Sequence, residues 1–339
     1  MDYRIDTRLE SRIDRERYIG KQFTTNQGYD YIVLGVWEHS PIGKEKRYVI
    51  EFDDGEQSIA YSSTIKNGSI GKYKGMRLQI KKDKPIKTIL LMSDLHFCYE
   101  DKDCLDIFYQ VANDLKDEID ELVDLGDGIN NNSLSKFIDI EPTQYTLIEE
   151  IETYRNHIMK MKEILNKDTK FVVLQDNHFH LRKERWLAEN PMLRGLIPDL
   201  SPLFDIEVEH GVPYMPFNQN RFGLIHGISY GKFFTKQHIE QYGIDIICGH
   251  THTMQMYTSS SGRINVHPIR SYGIPCMSKH QRYMQGRPTR QVCGFGVLTY
   301  DTGTNNYNIE YVIVENKSAI FRGKKYESNY IEQEELMNQ

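Results

Sequence analysis

The sequence predicts a mixed α/β fold preceded by a small β-rich domain, and three observations lead to this prediction. The apolar, β-branched run at 88–92 predicts a buried strand, 103–120 has apolar residues at helical spacing, and 121–125 is a second apolar run. A strand, a helix and a strand in that order predict a right-handed crossover within an α/β sheet. The same alternation returns further along the chain. By contrast, 19–78 contains only short runs rich in β-branched and aromatic residues.

The remaining elements follow from the same signals. We predict helices over 143–167, 182–189, 191–196 and 233–242, and strands at 170–174, 221–225, 245–248, 294–300 and 307–314. In the β-rich domain, strands are predicted at 31–36 and 47–52, followed by the turn signal Asp53-Asp54-Gly55. Several strands in so short a stretch predict a barrel-like module.

These patterns divide the chain into four segments. Residues 1–18 form a charged arm in which Ile5, Leu9 and Ile13 are spaced by four, which favours an amphipathic helix, with a frayed terminus as the alternative. The barrel-like module spans 19–85 and the main domain spans 86–316. Residues 317–339 are expected to be a polar C-terminal tail.

Composition excludes several classes of protein. With 339 residues, 27% charged and 39% hydrophobic, the chain is long enough for a full core and is typical of a globular protein. It contains no apolar run of membrane-spanning length, and its charged start is unlike a secretory signal, so we expect a cytoplasmic protein with no membrane partner. The five cysteines include no Cys-x-x-Cys pair, which argues against a thiolate zinc site. The net charge of −6 argues against a generally basic surface.

Polar side chains follow five of the predicted strands. These residues are Asp94 and His96, Asp127, Asn177 and His178, His226, and His250 and His252. Ligands of α/β sheets gather where the carboxyl ends of strands meet, and residues two apart in extended backbone, such as Asp94 and His96, point to the same side. Any one histidine is more typical of a buried structural role. The complete set favours a metal site, and its carboxylate, imidazole and amide donors suit manganese, iron or zinc better than calcium.

The ordered motifs Asp-x-His, Gly-Asp-x-x-Asn, Asn-His, His-Gly and Gly-His-x-His resemble those of the calcineurin-like metallophosphoesterase superfamily, including its phage-encoded members. The resemblance covers about 87–314. It implies a four-layer αββα sandwich, in which two sheets are flanked by helices, with a dinuclear metal centre that hydrolyses phosphoric esters. The cofactors implied are two divalent metal ions, with Mn as the first expectation and Fe, Zn, Ni and Mg as alternatives.

The resemblance also assigns roles to residues. One metal would be held by Asp94, His96 and His252, the second by Asn177, His226 and His250, and Asp127 would bridge the two. Two adjacent cations can activate water and stabilise both the attacking and the leaving oxygen at phosphorus. The catalytic candidates are therefore Asp127 and His178, the latter as a charge stabiliser or as proton donor to the leaving group.

Two positions depart from the family pattern. Asp176 stands where the family has glycine before Asn-His, and we expect Asp to tolerate the left-handed backbone of that turn. Phe179 stands where the family has an acid that orients the histidine. His180 or Glu184 could replace that acid, and without a replacement His178 would be a poorer proton donor.

Candidate substrate contacts lie in the loops beside these motifs. They are Asn130, His180, Arg182 and Lys183, and, in the Gly/Pro-interrupted segment after Gly-His-x-His, Lys279, Arg282, Arg287 and Arg290. Guanidinium groups there could contact a second phosphate, and ordinary surface charge is the alternative. For Asn130 we also expect a role in fixing the loop that carries Asp127.

Nucleic acid or a nucleotide is the expected substrate class. The segments 20–28, 52–55 and 65–70 resemble a small module of phage-encoded proteins, including some homing endonucleases, and seven Lys or Arg between Lys72 and Lys87 form a basic run. Nucleic-acid binding and a structural or oligomerising role both remain open for this module, and the basic run is either a phosphate contact or a solvated linker. A phage-encoded chain would act in the host cytoplasm.

The sequence thus predicts a metal-dependent hydrolase of phosphodiesters. Hydrolysis of phosphomonoesters or phosphoproteins is the alternative within the same class of enzyme. A binding or scaffolding protein with a degenerate metal centre is an alternative outside it, because Phe179 replaces the expected acid.

Overall fold

The computed structural model describes Ser11, Asp14, 17–24, 30–37, 46–53, 57–67, 85–136, 145–259, 267–279 and 289–331. Within these residues the protein is mixed α/β, with four sheets and five α-helices. The chain divides into two compact units, Met1–Lys84 and Pro85–Gln339. None of the helices in the described part of the chain is long and apolar enough to cross a membrane.

The first unit contains a four-stranded antiparallel meander. Its strands are β1 (Gln22–Thr24), β2 (Asp30–Val36), β3 (Arg47–Phe52) and β4 (Gln57–Tyr61), paired in chain order and followed by the short helix α1 (Ser62–Asn67). Tyr31, Val33, Tyr48 and Ile50 contribute to its core. The strand pairings among the described residues form an open meander rather than a closed barrel. The arm predicted over 1–18, and the basic run up to Lys84, lie almost entirely outside the described residues.

The larger sheet of the second unit has six strands. They are β5 (Ile86–Met92), β6 (Ile119–Asp124), β7 (Lys170–Leu174), β8 (Ile206–Val208), β13 (Gly294–Asp301) and β14 (Tyr307–Ile313), in the order β14-β13-β5-β6-β7-β8. The strands β5 to β8 are parallel, whereas β13 and β14 are antiparallel to their neighbours. The crossovers carry α2 (Lys102–Asp114), α3 (Leu147–Ile164) and α4 (His180–Glu189). Asp101 caps α2 and a Thr146–Glu149 capping box begins α3.

A second, four-stranded sheet lies in the order β11-β12-β10-β9. Its strands are β9 (Phe222–Ile225), β10 (Asp245–Cys248), β11 (Gln255–Thr258) and β12 (Arg270–Gly273), and α5 (Phe234–Tyr242) connects β9 to β10. The strands β9, β10 and β12 are parallel, and β11 is antiparallel.

Alternating side chains place three apolar clusters on the faces of the sheets. Along β5, Leu90 and Met92 join a cluster with α2 and α3 residues, whereas Ile89 and Leu91 join a cluster shared with the four-stranded sheet. A third, smaller cluster lies between the four-stranded sheet and Phe234 of α5. Both faces of the central strands β5, β7, β9 and β10 are therefore covered, which explains why each of these strands contains an apolar run.

Two predicted boundaries are wrong for a common reason. The helix predicted over 103–120 ends at Asp114, because Ile119 instead pairs with Thr88 in the sheet. The tail predicted over 317–339 is wrong at its start, since β15 (Ser318–Phe321) and β16 (Lys324–Glu327) form a hairpin that buries Phe321 and Tyr326. In both places tertiary pairing overrides a local sequence signal, and in the hairpin Phe321 and Tyr326 are buried while Lys325 and Glu327 are exposed on the opposite face.

Candidate metal centre

Five strand ends bring the predicted ligands together. The ends of β5, β6 and β7 in one sheet, and of β9 and β10 in the other, carry the eight polar residues that follow them in sequence. Three groups of side chains there have ligand atoms within 4.8 Å of one another, namely Asp94–His96–His252, His96–Asp127–His178 and Asp127–His226–His250. The groups share His96 and Asp127, so they form one continuous cluster of carboxylates and imidazoles.

The backbone at this cluster is left-handed at five ligand positions. Asp94, His96, Asp127, His250 and His252 have φ between 47° and 71°. The extended backbone expected at Asp94 and His96 is therefore wrong, because each of these residues turns the chain. Such conformations cost about 1–3 kcal/mol each and persist only where neighbours hold them. Here the Asp94 and His96 amides donate to the carbonyls of Gly126 and Asp127, at 3.0 Å and 2.9 Å.

The two oxygens of Asp94 have different surroundings. Oδ2 accepts hydrogen bonds from the Ser93 hydroxyl and, at 2.9 Å, from the His250 amide. Oδ1 is buried with no hydrogen-bond partner among the described residues, and lies 3.3 Å from His252 Nε2 and 4.0 Å from His96 Nε2. One oxygen is thus held by the protein and the other faces two imidazoles.

The His96 and His252 rings face each other through nitrogen atoms. His96 Nδ1 donates to Asn130 Oδ1 at 3.2 Å, which leaves the lone pair on Nε2. That Nε2 lies 3.1 Å from His252 Nε2. Two imidazole nitrogens at this distance require either a proton or a cation between them.

The second half of the cluster surrounds Asp127. Its Oδ1 accepts from the His178 amide at 3.2 Å, and its Oδ2 lies 3.3 Å from His226 Nε2. His226 Nδ1 donates to the Leu125 carbonyl at 2.8 Å, which directs Nε2 towards Asp127 and towards Asn177 Oδ1, 2.8 Å away. A main-chain acceptor behind a histidine ring is the usual support of a metal ligand.

These separations fit metal ligation. Donors bound at 2.0–2.2 Å with tetrahedral or octahedral angles lie about 3.0–3.5 Å apart. The observed separations are 3.1 Å for His96–His252, 3.3 Å for His252–Asp94 and 3.3 Å for His226–Asp127. The buried Nδ1 of His250 also has no hydrogen-bond partner within the described part of the chain. The donor set and its spacing could therefore hold two divalent cations.

In the metal-free cluster, protonated imidazoles balance the charge of the buried carboxylates. Burial disfavours the anion of Asp127, but His178 and His226 outweigh it and hold the pKa of this carboxyl well below its usual range. Burial likewise disfavours the cation of His226, but Asp127 raises the pKa of this imidazole to about 10. The buried carboxylates are thus neutralised by protons on neighbouring imidazoles. Because ligands must lose such protons, metal binding here competes with them.

Two glycines allow the strand ends to approach closely. A Cβ on Gly249 would lie 1.9 Å from the Ser93 hydroxyl oxygen, and one on Gly126 would lie 2.6 Å from His226 Nδ1. Gly126 also has φ of 108°, a conformation that side chains disfavour. These positions explain why glycine precedes both Asp127 and His250.

His178 is oriented by a main-chain carbonyl rather than by an acid. Its Nδ1 lies 2.9 Å from the Asn130 carbonyl, which can only accept, so Nδ1 carries the proton and Nε2 faces the cluster, 3.7 Å from Asp127 Oδ2. Arg182 Nη1 donates to the Asn130 and Asn131 carbonyls at 2.9 Å and 3.1 Å, and its Nη2 lies 3.4 Å from His178 Nε2. The Asn130 carbonyl supplies the orientation that neither His180 nor Glu184 provides.

Asp176 holds the turn in a way that the sequence analysis did not predict. It is not left-handed; instead, its Oδ1 accepts from the Phe179 and His180 amides and its Oδ2 accepts from the Asp127 amide at 2.9 Å. Its Oδ1 also lies 3.3 Å from His180 Nδ1. A carboxylate that accepts main-chain amides thus takes the place of a flexible glycine.

Three of the residues predicted to contact the substrate also contact residues of the centre. His180 is buried between Asp176 and Glu207, Asn130 is 1% exposed and holds His96 and His178, and Arg182 holds the 130–131 loop. The loop-fixing role expected of Asn130 agrees with these contacts, and contact of the three residues with a substrate stays a prediction. Arg282 and Arg287 lie outside the described residues.

Glu150 offers a test of this supporting shell. It is fully buried on α3, its Oε2 accepts from the Asn131 amide at 2.5 Å, and burial raises its pKa from 4.5 to about 7. The folded protein therefore binds an extra proton between these pH values, and stability should fall by up to about 3 kcal/mol as pH rises through that window. Glu150→Gln should remove this part of the pH dependence in urea unfolding of the metal-free protein. The exposed Glu152→Gln is the matched control, and identical profiles for both variants would contradict the assignment.

A cavity of about 560 Å³ opens onto the cluster. Beside five cluster residues it is lined by Tyr230, Gly231, Lys232, Phe234, Thr251, Thr253, Gln255, Thr289, Arg290 and Gln291. Its size is that of a small-ligand site. Arg290 was among the predicted contacts, whereas Tyr230 and Lys232 were missed; their signal is the run Tyr-Gly-Lys-Phe-Phe shortly after His226-Gly227.

The fold and the cluster define a mixed α/β protein with a candidate dinuclear metal centre. No protein-family model and no curated protein matches the chain. Among the solved structures that match is GAP50, the anchor in the inner membrane complex of Plasmodium, at 10% sequence identity, with 74% of this chain and 90% of that chain covered and a TM-score of 0.33. At this TM-score the likeness carries no argument about function.

Proposed function

We propose that the protein is a dinuclear-metal-dependent phosphoesterase that hydrolyses phosphodiesters, with a calcineurin-like αββα sandwich as its main domain. The observation that carries the proposal is the adjacency of two ligand groups, Asp94–His96–His252 and Asp127–His226–His250, with His96 Nε2 and Asp127 Oδ2 4.0 Å apart. The apolar clusters between helices α2 and α3, the two sheets and α5 support the layer order. The motif order supports a phosphoesterase, and the basic run between Lys72 and Lys87 together with the resemblance to phage-encoded members supports the preference for diesters.

The proposed reaction uses the chain's own residues as follows. One ion would be held by Asp94, His96 and His252. The other would be held by Asn177, His226 and His250, and Asp127 would bind both ions. When bound, the ions would polarise the ester and lower the pKa of the attacking water. Asp127 keeps its position because its Oδ1 accepts the His178 amide. His178, fixed through Nδ1 by the Asn130 carbonyl, presents Nε2 to the cavity, where a proton on Nε2 would be donated to the leaving oxygen.

The test combines metal analysis with a pair of esters. Elemental analysis of the purified protein should give two divalent ions per chain. Hydrolysis of bis(4-nitrophenyl) phosphate should require Mn²⁺ or a similar ion, stop on chelation and return when metal is restored. Faster hydrolysis of 4-nitrophenyl phosphate would instead favour a phosphomonoesterase. Bound metal without turnover of either ester would favour a binding protein.

A further inference from the structure

The loop after β9 displays an aromatic ring beside the metal centre. Tyr230 is 83% exposed, and its ring lies 6.0 Å from the His250 ring, at an interplanar angle of 66°. It also lines the cavity that opens onto Asp127. One face of a large planar side chain is therefore available to a ligand at the cavity.

This loop is held in place by the protein. The Ile228 amide donates to His238 Nε2 at 3.2 Å, and Gln255 Nε2 donates to the Lys232 carbonyl at 3.2 Å. The Phe234 amide, at the start of α5, donates to the Gly231 carbonyl at 3.1 Å. Hydrogen bonds on both sides of Tyr230 therefore fix the loop that carries it.

Two cations line the same cavity. Lys232 and Arg290 are exposed, and neither makes an ion pair with a described residue. The Lys232 Nζ lies 5.4 Å from the ring of Phe233, which is itself 59% exposed. Exposed aromatic rings interleaved with free cations beside a phosphate-ester site are the features by which proteins bind unpaired nucleotides.

Building on the proposed function, we propose that Tyr230, Lys232 and Arg290 form a nucleoside subsite, so that the substrate is a nucleotide diester or an unpaired nucleic-acid strand. The base stacks on Tyr230 while adjacent phosphates contact Lys232 and Arg290. Bases inside a duplex are already stacked on one another and are not available to the ring, so single strands are favoured over duplexes.

The first experiment compares two esters with the same leaving group, thymidine 5′-(4-nitrophenyl) phosphate and methyl 4-nitrophenyl phosphate. Tyr230→Ala should lower kcat/KM for the thymidine ester about 5- to 100-fold and leave the methyl ester nearly unchanged. Tyr230→Phe should retain the preference for the nucleoside, whereas Tyr230→Leu, which keeps an apolar side chain without the aromatic plane, should lose it. Equal loss on both esters would overturn the subsite, because it would mean that Tyr230 only supports the metal centre.

A second experiment does not depend on turnover. Fluorescence anisotropy of chelated, metal-free protein with labelled oligothymidylate should show binding that weakens about 5- to 100-fold in Tyr230→Ala. The slope of the logarithm of the binding constant against the logarithm of the salt concentration should become shallower by about one unit in Lys232→Gln, and by the same amount in Arg290→Gln. The proposal would be overturned if a duplex bound as tightly as the single strand, or if binding of the single strand were unchanged in Tyr230→Ala. Strand binding that depends on Tyr230, without hydrolysis of any ester, would support the subsite and reject the phosphoesterase.

Discussion

Asp127→Asn should remove both metal and activity. The carboxylate is 1% exposed and lies 3.3 Å from His226 Nε2 and 4.0 Å from His96 Nε2, so it is the anion shared by both halves of the cluster. An amide has the same shape but no charge, and a buried pair of dications without its shared anion would repel. We expect metal content to fall below two ions per chain and diester turnover to fall about 10³-fold or more, because metal ions contribute several kcal/mol to such transition states.

The control makes the same change at Asp106, a carboxylate of α2 that accepts from Gln110 and Asn329. Asp106→Asn should keep both metals and normal turnover. Circular dichroism of metal-free Asp127→Asn should match that of metal-free wild type, which separates loss of metal from loss of fold. Two tightly bound metals with near-normal turnover in Asp127→Asn would contradict the shared-ligand role.

His178→Ala should separate metal binding from turnover. The Nε2 atom faces the cavity while Nδ1 is fixed by a carbonyl, so Nε2 is the ring nitrogen that would carry a proton to the leaving oxygen. General acid help is typically worth about 10²–10⁴ in rate, so turnover should fall by that factor with both metals retained. Elemental analysis and diester kinetics on the same preparation test this.

His210→Ala is the matched control for His178. His210 also places Nδ1 near a main-chain carbonyl, that of Gln175 at 3.0 Å, but it belongs to none of the ligand groups found among the described residues. It should retain activity. Because His178 also falls within ligand distance of His96 and Asp127, loss of metal in His178→Ala would reclassify it as a ligand.

The strands with the strongest sequence signal were predicted best. Those at 170–174 and 245–248 have the predicted bounds, because apolar runs between polar residues coincide with strands buried on both faces. The short strands β8, β11 and β12, and the hairpin of β15 and β16, were missed because a few residues in mixed polar sequence carry no periodicity above the local noise.

At the candidate site, too, the sequence predicted one part well and another part not at all. The order of its motifs was sufficient to select the residues that the five strand ends bring together. It could not predict how they are held, because the left-handed turn at Asp94, the carbonyl behind His178 and the amides on Asp176 depend on segments far apart in the chain. The exposed Tyr230 was missed because the run Tyr-Gly-Lys-Phe-Phe contains no metal-ligand motif and no strand or helix periodicity, so its exposure in a loop is visible only in the structure.

The position of β5 in its sheet has a consequence for biosynthesis. Leu90 pairs on one side with Leu122, which follows it closely in the chain, and on the other with Val297, which is synthesised long after β6. Until β13 emerges, this apolar strand remains an open edge, the kind of surface at which nascent chains aggregate. A fragment that stopped after His252 would contain every candidate ligand and still lack the strand that pairs with β5, the strand that leads into Asp94 and His96.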